Sequence, residues 1–146
     1  MDFLREPTGI VIHHSATRDT ASLSFDAIRR WHTEELGWDD VGYHFVLEDF
    51  DGVPILLTGR ALQYYGAHTL GHNSTIGICV VGDFDENCPD MDVLYRLTDL
   101  LRGLLTIYPD LTPEDIHFHA DFASKSSPGK RFPSLKQIRA RVERGR

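Results

Sequence analysis

Histidines close two segments of this sequence that have the composition of buried strands. Ile10-Val11-Ile12 runs directly into His13 and His14, and Ile116 begins a second segment whose last histidine is His119. Continuous β-branched apolar runs are typical of strands that are buried on both faces. Two such strands ending in imidazoles predict one shared site. Zinc is the first candidate metal, because neutral imidazole is its usual nitrogen ligand.

The strands that would position these histidines are recognised by short apolar runs between turn residues. Pro54 indicates that its strand is an edge strand or that the proline lies at the start of the strand. A hairpin turn is predicted just before this strand, over 48–52. The predicted strands cover 10–14, 43–47, 53–58, 75–81 and 116–119.

Helical spacing of apolar residues predicts three helices. Ser24 would cap the first, which covers 24–36 with Trp31 as a core residue. The longest covers 91–108, and Ser134 would cap a short final helix. Strands interspersed with helices predict an α/β domain of two or three layers around one sheet.

The composition limits the class of protein and its partners. A chain of 146 residues fits one domain, and its net charge of −7 argues against nucleic acid as the main partner. Cys79 and Cys88 lack CxxC spacing and are interpreted as free thiols from a reducing compartment. No apolar stretch suits a secretory signal or a membrane span, so we expect synthesis in the cytoplasm without a signal peptide and no membrane insertion.

Four blocks of sequence, in this order, resemble one known family. They are IVIHHSAT at 10–17, GWDDVGYHF at 37–45, GAHTLGHNSTIGICVVGDF at 66–84 and HADFASKSSPG at 119–129. The chain is similar to the zinc-dependent N-acetylmuramoyl-L-alanine amidases of the T7-lysozyme and peptidoglycan-recognition-protein superfamily. The resemblance covers nearly the whole length. It implies a single amidase-like domain over 1–146, with a mixed central β-sheet, about three flanking helices and a zinc cleft on one side.

The resemblance also implies a mechanism and a set of catalytic residues. His13 and His119 match the first two ligands of Zn²⁺, Tyr43 matches a tyrosine facing the zinc-bound water, and Lys125 matches the catalytic lysine. A zinc-activated water would cleave the amide between N-acetylmuramic acid and L-alanine. Lys125 would stabilise the oxyanion, and Tyr43 would orient the water or pass a proton.

The resemblance further implies the substrate and the place of action. His68 and Asn73 match cleft-lining positions, and we assign them to substrate binding. The expected partners are peptidoglycan and muropeptides, with the protein acting as a monomer. An endolysin of phage or bacterial origin without a leader would reach the cell wall only after release or delivery.

Ser127 departs from the family pattern at the third zinc ligand. The family places Cys or Asp there, eight residues after His119, whereas a serine hydroxyl is neutral and is not a usual zinc ligand. In one hypothesis His117, Asp121 or a water held by Ser127 completes an active site. In a second, the chain is a peptidoglycan-binding module that has lost hydrolysis. In a third, a native cysteine was changed to serine to inactivate the amidase.

Overall fold

One mixed β-sheet forms the centre of the computed structural model, which describes residues 6–17 and 25–144. Its strands are β1 Ile10–His14, β2 Phe45–Phe50, β3 Val53–Thr58, β4 Ile76–Val80 and β5 Ile116–Phe118. They lie in the order β3-β2-β4-β1-β5. Only β2 and β3 pair antiparallel, and the other neighbours pair parallel. The mixed α/β sheet of five strands is therefore confirmed, with β3 at an edge as Pro54 indicated. The strand predicted over 43–47 instead begins at Phe45, so Tyr43 and His44 precede it.

Three α-helices flank the sheet, in agreement with the sequence. They are α1 Phe25–Arg30, α2 Met91–Ile107 and α3 Leu135–Glu143. Ser134 caps α3 as predicted, because its Oγ accepts the N–H of Gln137 at 3.2 Å. The predicted cap at Ser24 lies outside the described residues. Within the described ranges, no helix combines the length and the apolar character needed to cross a membrane.

The hairpin turn and the environment of Trp31 also differ from the prediction. The hairpin turn is shorter than 48–52, because β2 continues to Phe50 and only Asp51 and Gly52 turn the chain, with φ of 53° and 82°. A two-residue loop with both residues at positive φ matches the twist of antiparallel strands. Trp31 is not a core residue but is 57% exposed. Its segment, Trp31–Glu35, forms a π-helical turn, which shifts the side chains from the α-helical spacing used for the prediction.

Two clusters of buried residues, one large and one small, pack on opposite faces of the sheet, and His13 points toward the face with the smaller cluster. On one face, buried residues such as Ile12 pack with α2 residues such as Leu97. The smaller cluster on the other face includes Cys79, which is fully buried. Cys79 is the register partner of His13 across β1 and β4. Since side chains alternate between faces along a strand, His13 lies on the face opposite to the main core.

Candidate active site

A cleft of about 650 Å³ lies where the carboxyl ends of β1 and β5 meet. His13 and His119 enter it from these two ends, with ring centroids 4.3 Å apart. Every position singled out by the sequence resemblance lines this cleft: His13, Tyr43, His68, Asn73, His119, Lys125 and Ser127.

The end of β5 differs from the regular strand expected from the sequence. The strand stops at Phe118, and His119 begins a 3-10 turn. Asp121 stabilises this turn, since its Oδ2 accepts the backbone N–H of Phe118 at 2.9 Å. His117 therefore does not share a cleft-facing side with His119, and its ring lies 5.2 Å from that of Phe122. Neither His117 nor Asp121 is among the described residues that line the cleft, so neither fills the position of a replacement metal ligand.

The imidazole of His13 is held by a small network on the 66–74 loop. Its Nε2 lies 2.9 Å from Nδ1 of His68 and 3.1 Å from Oγ1 of Thr69. The other nitrogen of His68, Nε2, donates to the carbonyl of Thr75 at 3.0 Å. Burial lowers the pKa of His68 to about 3. Burial and the neighbouring His68, His119 and Lys125 lower the pKa of His13 well below its usual value, so both rings are neutral at physiological pH.

Asn73 stabilises the same loop by hydrogen bonds to its backbone. Its Oδ1 accepts the backbone N–H groups of His68 and Thr69, at 2.8 Å and 2.9 Å. The carbonyl of Asn73 also accepts the N–H of Gly66. The side chain thus closes the turn that presents His68 to His13. Contact of His68 and Asn73 with substrate stays a prediction.

Tyr43 stands beside the histidines in its protonated form. Its ring centroid lies 5.2 Å from that of His13, and burial raises its pKa well above the usual value. Tyr43 packs against the buried cluster that contains Cys79, and burial raises the pKa of the Cys79 thiol to about 12. Both groups therefore keep their protons at neutral pH. The sequence signalled Cys79 only as an apolar core residue, so its contact with Tyr43 was missed.

Ser127 is buried in the cleft wall and is already engaged by the backbone. Its Oγ accepts the N–H of His14 at 3.2 Å. The turn that carries it is fastened by Asp85, whose Oδ2 accepts from Oγ of Ser126 at 2.8 Å and whose Oδ1 accepts from N of Lys130 at 2.9 Å. These hydrogen bonds lower the pKa of Asp85. No sequence pattern singled out Asp85, because its partners lie more than forty residues away along the chain.

The imidazoles of His13 and His119 are suitable ligands for a zinc ion. His13 and His119 are adjacent and reach the cleft from separate strands, and burial, followed by the nearby charge of Lys125, lowers the pKa of His119. Neutral imidazoles of this kind are common zinc ligands. No cluster of three or more His, Cys, Asp or Glu side chains suited to a metal occurs within 6–17 and 25–144.

His14 lines the cleft without being suited to bind a metal. Its Nδ1 accepts the backbone N–H of Phe84 at 3.2 Å. Neutral imidazole has one N–H, so Nε2 of His14 carries the proton and is a hydrogen-bond donor. His14 thus anchors the end of β1 to the 83–92 loop.

Comparison with known proteins identifies the family. The sequence profile described as N-acetylmuramoyl-L-alanine amidase matches residues 3–130. An endolysin of Klebsiella phage KP32 is 36% identical over 127 residues, which cover 85% of this chain and 82% of that protein. Among solved structures, the N-acetylmuramoyl-L-alanine amidase LysC from Clostridium intestinale superposes with a TM-score of 0.82 at 27% identity, covering 98% of this chain and 93% of LysC.

A recognition protein shares the same fold. Peptidoglycan recognition protein LE, solved in complex with tracheal cytotoxin, superposes with a TM-score of 0.78 at 28% identity. The alignment covers 95% of this chain and 83% of that one. The match of the family profile over most of the sequence, the phage endolysin and the fold together show that this chain belongs to the N-acetylmuramoyl-L-alanine amidase family.

Proposed function

We propose that this protein is a peptidoglycan hydrolase that cleaves the amide between N-acetylmuramic acid and L-alanine. The observation that carries the proposal is the meeting of His13, His119, Tyr43 and Lys125 in one cleft of an amidase-family fold. Endolysins and amidases are the relatives with which this chain shares that fold over most of its length. A cleft of about 650 Å³ lies within the usual volume range of sites that bind small ligands.

His13 and His119 would hold the metal, and the remaining groups prepare the amide for attack. A bound zinc ion supplies Lewis acidity, which lowers the pKa of water and polarises a carbonyl. The ammonium group of Lys125 places positive charge in the cleft, where it stabilises the negative charge that develops on the carbonyl oxygen. Protonated Tyr43 donates a hydrogen bond that orients the water or the amide, and it does not serve as the base.

The substrate class follows from the relatives and from the shape of the cleft. Protein LE has the same fold as this chain. It was solved in complex with a monomeric diaminopimelic acid-type peptidoglycan. Peptidoglycan and its muropeptides are therefore the partners that we propose for this chain. His68 and Asn73 would form the floor of the cleft under the substrate. As an endolysin-type enzyme, the protein would act as a monomer on the cell wall after release or delivery.

Ser127 supports a second candidate, a module that binds peptidoglycan without cutting it. The hydroxyl carries no charge and already accepts the N–H of His14, so it is a poor third zinc ligand. A chain with only two imidazole donors would bind zinc weakly while keeping the cleft. Restoring a cysteine at this position would then restore hydrolysis, whether the serine is native or introduced.

One experiment separates the two functions. The protein, purified without chelators and supplied with zinc, is incubated with insoluble cell wall beside His119→Ala and Ser127→Cys. New amino termini on L-alanine, released by the unchanged chain and lost in His119→Ala, would support the amidase. Co-sedimentation with the wall, with release only in Ser127→Cys, would support the binding module. A chain that neither sediments with the wall nor releases termini would overturn both proposals.

A further inference from the structure

The ring of His68 occupies a slot that two glycines leave open. A Cβ added to Gly77 would lie 2.4 Å from Cδ2 of His68, and one added to Gly66 would lie equally close to the same atom. Contacts this short do not occur between real side chains, so any other residue at either position would displace the ring. Neither glycine has positive φ. Their identity is explained by the imidazole between them, which is therefore a built part of the site.

The hydrogen bonds of this ring fix the position of its proton. The carbonyl of Thr75 can only accept, so Nε2 of His68 must carry the hydrogen. A neutral imidazole has one N–H, which leaves Nδ1 of His68 as an acceptor. That acceptor faces Nε2 of His13 at 2.9 Å and Oγ1 of Thr69 at 2.8 Å.

Only a protonated Nε2 on His13 satisfies this triangle of atoms. In one arrangement, Nε2–H of His13 donates directly to Nδ1 of His68. In the other, it donates to Oγ1 of Thr69, whose hydroxyl donates to Nδ1 of His68. If Nε2 of His13 carried a lone pair instead, two nitrogen lone pairs would face each other at 2.9 Å. Both satisfied arrangements therefore leave the lone pair of His13 on Nδ1.

We propose that His68, seated between Gly66 and Gly77 and anchored by the carbonyl of Thr75, is a positioning residue that fixes the tautomer of His13. The ring of His13 is thereby set to offer Nδ1 as its metal-binding nitrogen before any metal arrives. Outer partners of this kind orient metal-bound histidines and tune their basicity. The inference rests on the proposed function only in giving His13 the role of a zinc ligand.

Histidine ring nitrogens report the tautomer directly. Long-range proton–nitrogen spectra of the ¹⁵N-labelled, metal-free protein are recorded at about pH 7.5, where the rings are neutral, and His13→Gln assigns the signals of His13. We expect His13 to carry its proton on Nε2. His44 is an internal reference, because its Nε2 donates to the carbonyl of Tyr64 and its Nδ1 accepts the N–H of Gly77.

A double variant tests the cause. His68→Phe with Thr69→Val keeps the ring volume but removes both acceptors, so the protonated nitrogen of His13 should become mixed. Zinc affinity, measured by competition with a chromophoric chelator, should fall about 10–100-fold. His72→Phe makes the same change on the same loop, where the ring stacks on Phe122, and should alter neither measurement.

The proposal is overturned if the unmodified protein carries the His13 proton on Nδ1, a reading that needs no variant to fold. It is equally overturned if the double variant keeps both the tautomer and the zinc affinity. Because these measurements use no cell wall, a chain that fails to hydrolyse peptidoglycan still gives a clear answer. If the tautomer is not the expected one, the proposed amidase activity is unaffected, because it is tested separately by the cell-wall assay.

Discussion

The backbone N–H of His14 donates a 3.2 Å hydrogen bond to Oγ of Ser127, across 113 residues of sequence. This bond fastens the end of β1, which presents His13, to the turn that follows β5 and His119. Ser127, which the sequence resemblance matches to a third ligand position, is thus part of the link between the elements that carry the two histidines. Its structural role and its role toward a metal are separable by substitution.

Replacing Ser127 with alanine should destabilise the fold. The change leaves the buried N–H of His14 without an acceptor, so the free energy of unfolding should fall by about 1–3 kcal/mol. Urea denaturation of the metal-free protein measures this loss. Ser126→Ala is the matched control, because it frees an oxygen of Asp85 that water can solvate, and its effect should be smaller. An equal loss in both variants would contradict the role assigned to the His14–Ser127 bond.

Replacing Ser127 with cysteine should strengthen metal binding. A thiolate adds a charged ligand of the kind that zinc prefers beside imidazole. Since loss of even an outer-shell partner weakens binding about 10–100-fold, gaining a direct ligand should increase zinc affinity at least that much. Competition with a chelator measures the change. Ser126→Cys places a thiol one residue away, and an equal gain there would show that position 127 is not the ligand position.

The sequence predicted the elements of this fold better than the contacts within its site. β1 and α3 follow from an apolar run and a serine cap, which are local signals. The strand predicted over 116–119 ends one residue early because the carboxylate of Asp121 caps the N–H of Phe118. Capping by a residue that follows a strand leaves no trace in hydrophobic periodicity.

The family resemblance predicted which residues line the site, but it did not predict the residues that contact them. The bond from Ser126 to Asp85 joins segments 41 residues apart, and the ring of His68 folds back between Gly66 and Gly77. Such contacts are set by how loops meet in three dimensions, and no spacing rule encodes them. The glycines at 66 and 77 appeared as loop and strand residues, and only the fold shows that a histidine ring needs their missing side chains.

Gly77→Ala should damage the site from within the sheet. The added Cβ would lie 2.4 Å from Cδ2 and 2.6 Å from Cγ of His68, so the ring must leave the position in which it contacts His13. Overpacking of this kind costs about 1–3 kcal/mol of unfolding free energy. Zinc affinity should fall together with stability. The two quantities are measured by urea denaturation and by chelator competition.

Gly103→Ala is the control for this change. Gly103 lies in α2, and an added Cβ there meets nothing within 4 Å. Alanine is the better helix former by about 0.5–1 kcal/mol, so this variant should be slightly more stable and bind zinc unchanged. Normal zinc affinity in Gly77→Ala would show that the position of His68 does not matter to His13.

Acidification should destabilise the metal-free protein over a defined range. Burial lowers the pKa of His68 from 6.5 to about 3, and burial likewise lowers that of His13. Between pH 6.5 and about 3, His68 binds a proton in the unfolded chain but not in the folded chain. The stability that these neutral rings contribute is therefore complete above pH 6.5 and is lost as pH falls toward 3. Each such ring contributes a slope of up to about 1.4 kcal/mol per pH unit.

Urea denaturation at about pH 7, 6 and 5 measures this slope. His68→Phe removes one of the titrating rings while filling the same slot, so its stability should fall less steeply with acid than that of the unmodified chain. The difference between the two slopes reports the protons that His68 takes up on unfolding, together with any change in the titration of His13, whose pKa His68 lowers. Parallel slopes would mean that His68 titrates alike in the folded and unfolded chains, and that its burial between Gly66 and Gly77 does not keep it neutral.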